Sequence, residues 1–251
     1  MSGTDRPASK FDDPAFFGHL WADAYDESTD LDPTEAVDFL AALADGGPAL
    51  ELAVGTGRVA LPLARRGVEV TGVDASRKMI DKMLAKPDGG RVEAVVGDLT
   101  DVPAEGPFRL VYLVYNTLFN LRDADKQAAC FRNVARVLEP GGAFVIECYV
   151  PDPPYYDQSR QLSVREVTED SATIDLHAHD RNAQTFMRQS ITFDADGVHL
   201  LPHSERYCWP NELDLMASLA GLRLTERYAG WGREPFGPES RDHISVYRAP
   251  S

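Results

Sequence analysis

Lysine is scarce in this chain. Five occur among 251 residues, at positions 10, 78, 82, 86 and 126, and 25 basic residues face 40 acidic ones for a formal net charge of -15. A protein that grips a phosphate backbone needs clustered lysine and arginine. Nucleic acid is therefore not the expected partner, and the dispersed acids read as a solvated surface. Cysteine is nearly as rare. Cys130, Cys148 and Cys208 lie far apart and form no CxxC, which argues against a disulfide framework or a metal site. Cys130 falls in a helical pattern and Cys148 in a strand pattern, so both read as core. Long apolar runs are missing too. A membrane span needs roughly 18 residues, and the longest candidate, around Leu110–Tyr115, is strand-sized. Met1–Pro14 is polar and charged, without an apolar signal segment. No membrane contact and a cytoplasmic location are the expectations.

What is present suffices for a core. The hydrophobic share of 43% suits one large domain, or one domain carrying an insertion. Asp13-Pro14 opens a short helix with Phe16, Phe17, Leu20, Trp21, Ala24 and Tyr25 as its apolar residues. Asp32-Pro33-Thr34-Glu35 opens a second, with Val37, Leu40 and Ala44 on one face. Strands at Ala49–Val54, Val68–Val73, Val92–Val96, Phe108–Tyr115 and Ala143–Val150 then alternate with helices at Arg58–Arg65, Ser76–Lys86 and Asp123–Leu138. Apolar strands alternating with helices imply an α/β parallel sheet covered on both faces.

The pattern changes after Pro151-Asp152-Pro153-Pro154. Residues 161–208 alternate with period two. Ala172, Ile174, Leu176 and Ala178 face one way; Thr173, Asp175, His177 and His179 face the other. Asp196-Gly197 is a hairpin signal. A small antiparallel sheet inserted in the main domain is expected. Pro210 then opens a helix that Gly221 closes, and two strands follow near Leu222–Tyr228 and His243–Arg248.

The sharpest local signal is Glu51-Leu52-Ala53-Val54-Gly55-Thr56-Gly57-Arg58, a strand running into a glycine turn and then a helix. Such a turn lets backbone N–H groups approach a ligand. Gly55-x-Gly57-x-x-Ala60 also fits the dinucleotide fingerprint. The acid at the next strand tip, Asp74, suits a ribose in either case. The third strand distinguishes the two: Val95-Val96-Gly97-Asp98-Leu99 puts another acid at the next tip, where a carboxylate can accept an adenine amine. Leu138-Glu139-Pro140-Gly141-Gly142 then precedes strand five. No Tyr-x-x-x-Lys pair supports a short-chain nicotinamide oxidoreductase.

At these residues the chain resembles the class I S-adenosylmethionine-dependent methyltransferase family, closely over about residues 49–150 and loosely in the C-terminal strands. The resemblance implies a Rossmann-like sheet, mostly parallel with its last strand antiparallel. It would be divided as an N-terminal helical cap at 1–48, a cofactor domain at 49–155 and 209–251, and an inserted antiparallel lid at 156–208. S-adenosyl-L-methionine is the implied cofactor and S-adenosyl-L-homocysteine the product. The Glu51–Gly57 turn, with Ala53, Gly55 and Thr56, would hold the methionine part. Asp74, flanked by Ala75 and Ser76, would bind the ribose. Asp98, after Gly97, would bind the adenine amine between Met79 and Leu99, and Tyr115 and Asn116 would border the sulfonium. The family often carries glycine where this chain has Ala53, so a slightly tighter turn is expected.

Asp152-Pro153-Pro154-Tyr155 looks like the catalytic motif of adenine-N6 methyltransferases, but that motif follows strand four and this one follows strand five. The wider layout resembles small-molecule enzymes, the amino-sugar N,N-dimethyltransferases and cypemycin-type peptide N-terminal methyltransferases. The matching residues are Ala24-Tyr25-Asp26, Asn116-Thr117-Leu118-Phe119, Trp209–Leu222 and Arg233-Glu234-Pro235-Phe236. That subgroup implies a lid roofing the acceptor pocket and a possible homodimer through the inserted sheet. A small-molecule or peptide acceptor is therefore expected, with N-methylation favoured over O-methylation. A nucleic-acid base methyltransferase using Asp152–Tyr155 and a non-catalytic cofactor binder are the alternatives. Methyl transfer to an amine or hydroxyl benefits from a base. The catalytic candidates are Tyr25, Tyr115 and His177, with His179 and His203 behind them, and Trp209, Trp231, Phe119 and Tyr149 are candidates for an apolar acceptor wall.

Overall fold

The computed structural model describes residues 9–23, 25–28, 32–152 and 160–251. Three helices come first: α1 (Phe16–Trp21), α2 (Tyr25–Ser28) and α3 (Thr34–Ala44). Asp32 opens α3 as its type allows, accepting the Thr34 backbone N–H at 3.0 Å. The chain then alternates β1 (Ala49–Leu52), α4 (Ala60–Arg65), β2 (Val70–Asp74), α5 (Arg77–Ala85), β3 (Val92–Val96) and β4 (Phe108–Leu113). After α6 (Ala124–Val137) comes β5 (Leu138–Tyr149). It starts five residues before the expected Ala143 because Leu138 already pairs with Phe108, ahead of a register shift. An inserted sheet follows, β6 (Arg160–Val167), β7 (Ala172–Asp180), β8 (Thr185–Asp194) and β9 (Gly197–Arg206), then α7 (Pro210–Leu219), β10 (Arg223–Tyr228) and β11 (Asp242–Arg248).

The large sheet has strand order β10-β11-β5-β4-β1-β2-β3. Strands β1 to β5 are mutually parallel, and the last strand, β11, runs antiparallel between β5 and β10. Its strands read as continuous apolar runs because both faces are covered. From Leu110 to Leu113 along β4 the side chains alternate between two cores. Leu110 and Tyr112 join the core under α3 and α4, while Val111 and Leu113 join the core under α6 and α7. The order reverses between β1 and β4, and the crevice at that switch, beyond the strands' carboxyl ends, is where an open α/β sheet places its ligand.

The inserted sheet has order β6-β7-β8-β9, all antiparallel, with the expected hairpin at Asp194 and Gly197. Its polarity is turned round relative to an ordinary half-buried sheet. Thr173, Asp175 and Ser190 are buried, whereas Leu162, Val164, Leu176, Met187, Phe193, Val198 and Leu200 are exposed. The buried polar side chains satisfy one another: Ser190 donates to Asp175 Oδ1, Arg165 pairs with Asp175, and Thr173 meets Thr192 at 2.9 Å. A second polar network joins this sheet to the main body. Arg206 donates to Gln127 of α6 and Gln184, and pairs with Glu212 of α7 at 2.6 Å.

Phe131 sits at the centre of one core, fully buried, with the rings of Phe144 and Tyr247 edge-on at 5.3 and 5.9 Å. Phe131→Ala is expected to lower the unfolding free energy by about 3–5 kcal/mol, the usual cost of emptying an aromatic site in a packed core. Urea denaturation of the two proteins measures it.

Candidate active site

The chain leaves β1 through a turn with unusual backbone geometry. Ala53, Gly55 and Gly57 have φ of +55°, +56° and +79°. For Ala53 that is a conformation glycine adopts at less cost. A Cβ on Gly57 would lie 2.6 Å from Met83 Cγ, whereas one on Gly55 would meet only the Ala53 carbonyl at 4.0 Å. The turn is thus packed against α5 on one side and open toward a cavity on the other. At the tip of β2 the Asp74 carboxylate accepts the Gly55 N–H at 2.8 Å and the Ser76 N–H at 2.7 Å. Burial raises its pKa, and these two bonds offset part of that rise. Ser76 caps α5 through the Met79 N–H.

Glu51 lies beneath the turn, fully enclosed, and its Oε2 accepts the Tyr112 hydroxyl at 2.9 Å. Desolvation pushes its pKa up to about 8. The tip of β4 is also strained, with Tyr115 and Asn116 at φ of +55° and +60°. A buried carboxylate on β5, Glu147, holds that tip. It accepts the Tyr115 N–H at 2.8 Å and the Trp231 indole N–H at 2.9 Å, and burial raises its pKa.

The cap closes over this turn. Gly18 of α1 lies so near Ser76 that a Cβ would come within 2.2 Å of its side chain. Thr56 donates its hydroxyl to Asp26 at 2.5 Å, and Asp26 pairs with Lys86. Asp23 pairs with Lys78 and Lys82. Three of the chain's five lysines therefore face the cap, two from α5 and Lys86 from just past its end.

A cavity of about 290 Å³ runs through the crevice. Of the residues singled out in the sequence, Tyr25, Ala53, Gly55, Asp74, Ala75, Met79, Asp98, Leu99, Tyr115 and Asn116 line it. Glu51, Thr56, Gly57, Ser76 and Gly97 stand behind that lining. His177 lies on β7, with the Phe186 ring edge-on at 5.1 Å, outside the lining. His179 meets the Tyr207 hydroxyl at 2.9 Å. Of the four aromatic wall candidates, only Tyr149 reaches the cavity. Phe119 is buried against the Tyr149 ring, Trp231 packs on Phe39 and is tied to Glu147, and Trp209 precedes α7 partly exposed. These three are held by the core or the surface instead. Asp152 is exposed beside a second, more open recess; Pro153, Pro154, Tyr155 and Ala24 lie outside the described residues.

Sequence reasoning missed Glu205 of β9, which lines the cavity, and two groups nearer the turn. One is Glu147, which no spacing announces. The other is Arg58, the residue directly after Gly57, whose position next to the glycine turn was the available signal. Its guanidinium lies between the rings of Tyr25 and Tyr115, 4.9 Å from each centroid. Among the described residues no hydrogen-bond partner meets its buried Nη1 and Nη2. Burial pushes the pKa of both tyrosines up, so their hydroxyls stay protonated at neutral pH and act as donors.

At the far end of the cavity, β9 and β5 present three more polar groups. The Tyr149 hydroxyl donates to Glu205 Oε1 at 2.6 Å, and His203 Nε2 lies 3.1 Å from Glu205 Oε2.

Residues 49–142 match the family model described as a methyltransferase domain. The chain is 32% identical over 208 residues to the cypemycin N-terminal methyltransferase of a Streptomyces species, covering 80% of this chain and 83% of that one. The structure of the CcbJ methyltransferase from Streptomyces caelestis superimposes with a TM-score of 0.85 at 40% identity, over 94% of this chain and 98% of that one. The sugar N-methyltransferase KedS8 from a Streptoalloteichus species shares the fold, with a TM-score of 0.67 at 18% identity over 91% and 92% of the two chains.

The protonation of Glu51 has a consequence for stability. Its folded pKa stands above its unfolded value of 4.5, so between about pH 4.5 and 8 the folded chain binds the extra proton. This group's contribution therefore declines as pH rises through that window. Glu51→Gln, which keeps an acceptor for Tyr112, is expected to flatten that decline. Urea denaturation at several pH values across the window, with variant and wild type side by side, measures the difference in slope.

Proposed function

The chain belongs to the class I S-adenosylmethionine-dependent methyltransferases, and on that premise we propose that it methylates nitrogen, in preference to oxygen, on a small molecule or modified peptide. The observation that carries this reading is one continuous cavity, with strand-tip acids at one end and an imidazole–carboxylate pair at the other. The likeness to a peptide N-terminal methyltransferase supports nitrogen as the target.

The residues of the first half fit the cofactor. Arg58 offers two buried donors beside the glycine turn that meet no partner among the described residues, which suits the carboxylate of the methionine part. Gly55 leaves backbone open to the cavity. In this reading Asp74 receives the ribose hydroxyls, Asp98 the adenine amine, and Met79 and Leu99 the faces of the ring. When bound, S-adenosylmethionine supplies a methyl group made electrophilic by its sulfonium. The chain's own work is then positioning and exclusion of water. The cap residues Phe16, Phe17 and Tyr25 cover the cavity from above, and Asn116 joins its floor to β5 by accepting the Tyr149 N–H at 2.6 Å.

A second copy of the chain is the proposed partner of the exposed apolar face of the inserted sheet. Ile174 pairs with Val164 on one side and Ile191 on the other, and Ile191 pairs in turn with Leu200, so one apolar row crosses all four strands. Such a face is self-complementary about a two-fold axis. Val164→Asp with Leu200→Asp is expected to yield monomer where wild type sediments as a dimer. A monomeric wild type in analytical ultracentrifugation removes this partner.

Two measurements test the cofactor and acceptor. Calorimetric titration with S-adenosylhomocysteine, with NADH as control, is expected to show binding of the first alone. Asp74→Ala and Arg58→Ala are each expected to weaken that binding by tenfold or more, on the order of 1.4 kcal/mol, while circular dichroism stays unchanged. Methyl transfer from labelled cofactor onto a panel of amines, N-terminal peptides and phenols then decides the target atom. Labelling confined to phenols rejects nitrogen.

A further inference from the structure

The acceptor half of the cavity contains an organised proton-handling group. Glu205 is 9% exposed, and both its oxygens are engaged, Oε1 by the Tyr149 hydroxyl and Oε2 by His203 Nε2. An ionised carboxylate only accepts hydrogen bonds. Nε2 is therefore the protonated nitrogen in that contact, and a neutral His203 carries its lone pair on Nδ1. Among the described residues no hydrogen bond engages Nδ1. The imidazole is held from the cap as well: the Phe17 ring stands edge-on to it, centroids 6.4 Å apart. His203 lines the same cavity as Tyr25, Asp74 and Tyr115.

Three other polar groups of the cavity are committed elsewhere. Tyr25 and Tyr115 keep their protons and flank Arg58. Asn116 Oδ1 accepts the Tyr149 N–H. The charged and titratable groups around His203 come from five directions. Glu205 is on its own strand, and Arg188 is its Cα partner on β8, with His177 next in that row on β7. Tyr149 reaches in from β5, Asp13 lines the cavity before α1, and Asp152 lines the adjoining recess that His203 and Glu205 share.

We infer that His203 is the catalytic proton acceptor for an amine substrate, with Glu205 and Tyr149 as positioning residues. This rests on the reading of the chain as an amine methyltransferase. The acceptor arrives as an ammonium ion and gives one proton to Nδ1, forming an imidazolium that the Glu205 carboxylate stabilises. The nitrogen lone pair so freed forms the new N–C bond as the S–C bond breaks, and the S–C electron pair stays on sulfur. The product leaves as a methylated ammonium with a neutral thioether, and the imidazolium proton passes to solvent. The base and its orienting carboxylate are the arrangement that nucleophile activation ordinarily requires.

The probe is sinefungin, a cofactor analogue that carries an amine where the cofactor carries its methyl group. Its affinity is compared with that of S-adenosylhomocysteine by calorimetric titration of the full chain, from about pH 5.5 to about pH 8, a range that spans imidazole titration. Wild type is expected to favour sinefungin by about tenfold, the worth of one hydrogen bond to a charged group. That preference should fade on the acid side, as Nδ1 takes up a proton of its own. His203→Asn should keep its affinity for S-adenosylhomocysteine, lose the preference and lose the acid-side inflection. Glu205→Gln should also keep that affinity but move the inflection to lower pH, because the imidazolium loses its counter-charge. A merely structural role would change both ligands together and leave the inflection in place. An equal preference and an equal pH profile in wild type and both variants, with S-adenosylhomocysteine still bound, overturns the assignment of His203. Failure of wild type to bind S-adenosylhomocysteine instead overturns the reading beneath it, and the assignment with it.

Discussion

The Asp74 carboxylate stitches together two loops that would otherwise be independent. One oxygen takes the Gly55 N–H from the turn after β1, and the other takes the Ser76 N–H at the start of α5. The glycine turn and the start of α5 meet at that pair of bonds. These bonds fix the left-handed run of Ala53, Gly55 and Gly57 in one shape, at a point where the chain would pay backbone strain to hold it alone. They also fix the start of α5, and α5 carries Lys78 and Lys82, with Lys86 just past its end, on which the cap is anchored. A single strand-tip acid thus sets the turn, the helix and the roof.

Buried carboxylates recur around this crevice, and each is satisfied by a different kind of donor. Glu51 takes a tyrosine hydroxyl, Asp74 takes backbone amides, and Glu147 takes one amide and one indole. Desolvation raises the pKa of all three. Neutral donors satisfy these acids without fixing a full positive charge beside each. Arg58 has its guanidinium between two aromatic rings, and among the described residues its buried Nη1 and Nη2 meet no hydrogen-bond partner. A buried donor left unpaired costs stability.

The inserted sheet reverses the usual sense of amphipathicity because of where it lies. Thr173, Asp175, Ser190, His203 and Glu205 turn inward, toward the cavity and a polar network, and the aliphatic side chains are left outside. Arg206, pinned by Gln127, Gln184 and Glu212, then ties the end of β9 to α6 and α7. That anchorage keeps His203 and Glu205 at a set depth opposite Asp74 and Asp98.

Much of this protein was legible in the order of its residues. Hydrophobic period, caps and glycine turns are local properties, so the alternation of strands and helices, the hairpin at Asp196-Gly197, and the acids at the tips after β2 and β3 could be read before any contact was known. The family followed from those same residues, since Asp74 and Asp98 fall at fixed places along the chain. The strand order, with β11 slipped between β5 and β10, could not be read, because pairing joins residues about a hundred positions apart. The inserted antiparallel sheet could be read, but period two gives two faces without saying which one meets the body. Nor could spacing show that Arg58 lies between Tyr25 and Tyr115, or that Glu147 holds the tip of β4. His203 and Glu205 are two residues apart in sequence and share a strand face. Only the docking of β9 against β5 and α1 brought the Tyr149 hydroxyl, the Phe17 ring and the cavity to them, because a side chain's chemistry depends on neighbours that the fold, not the sequence position, brings within a few ångströms.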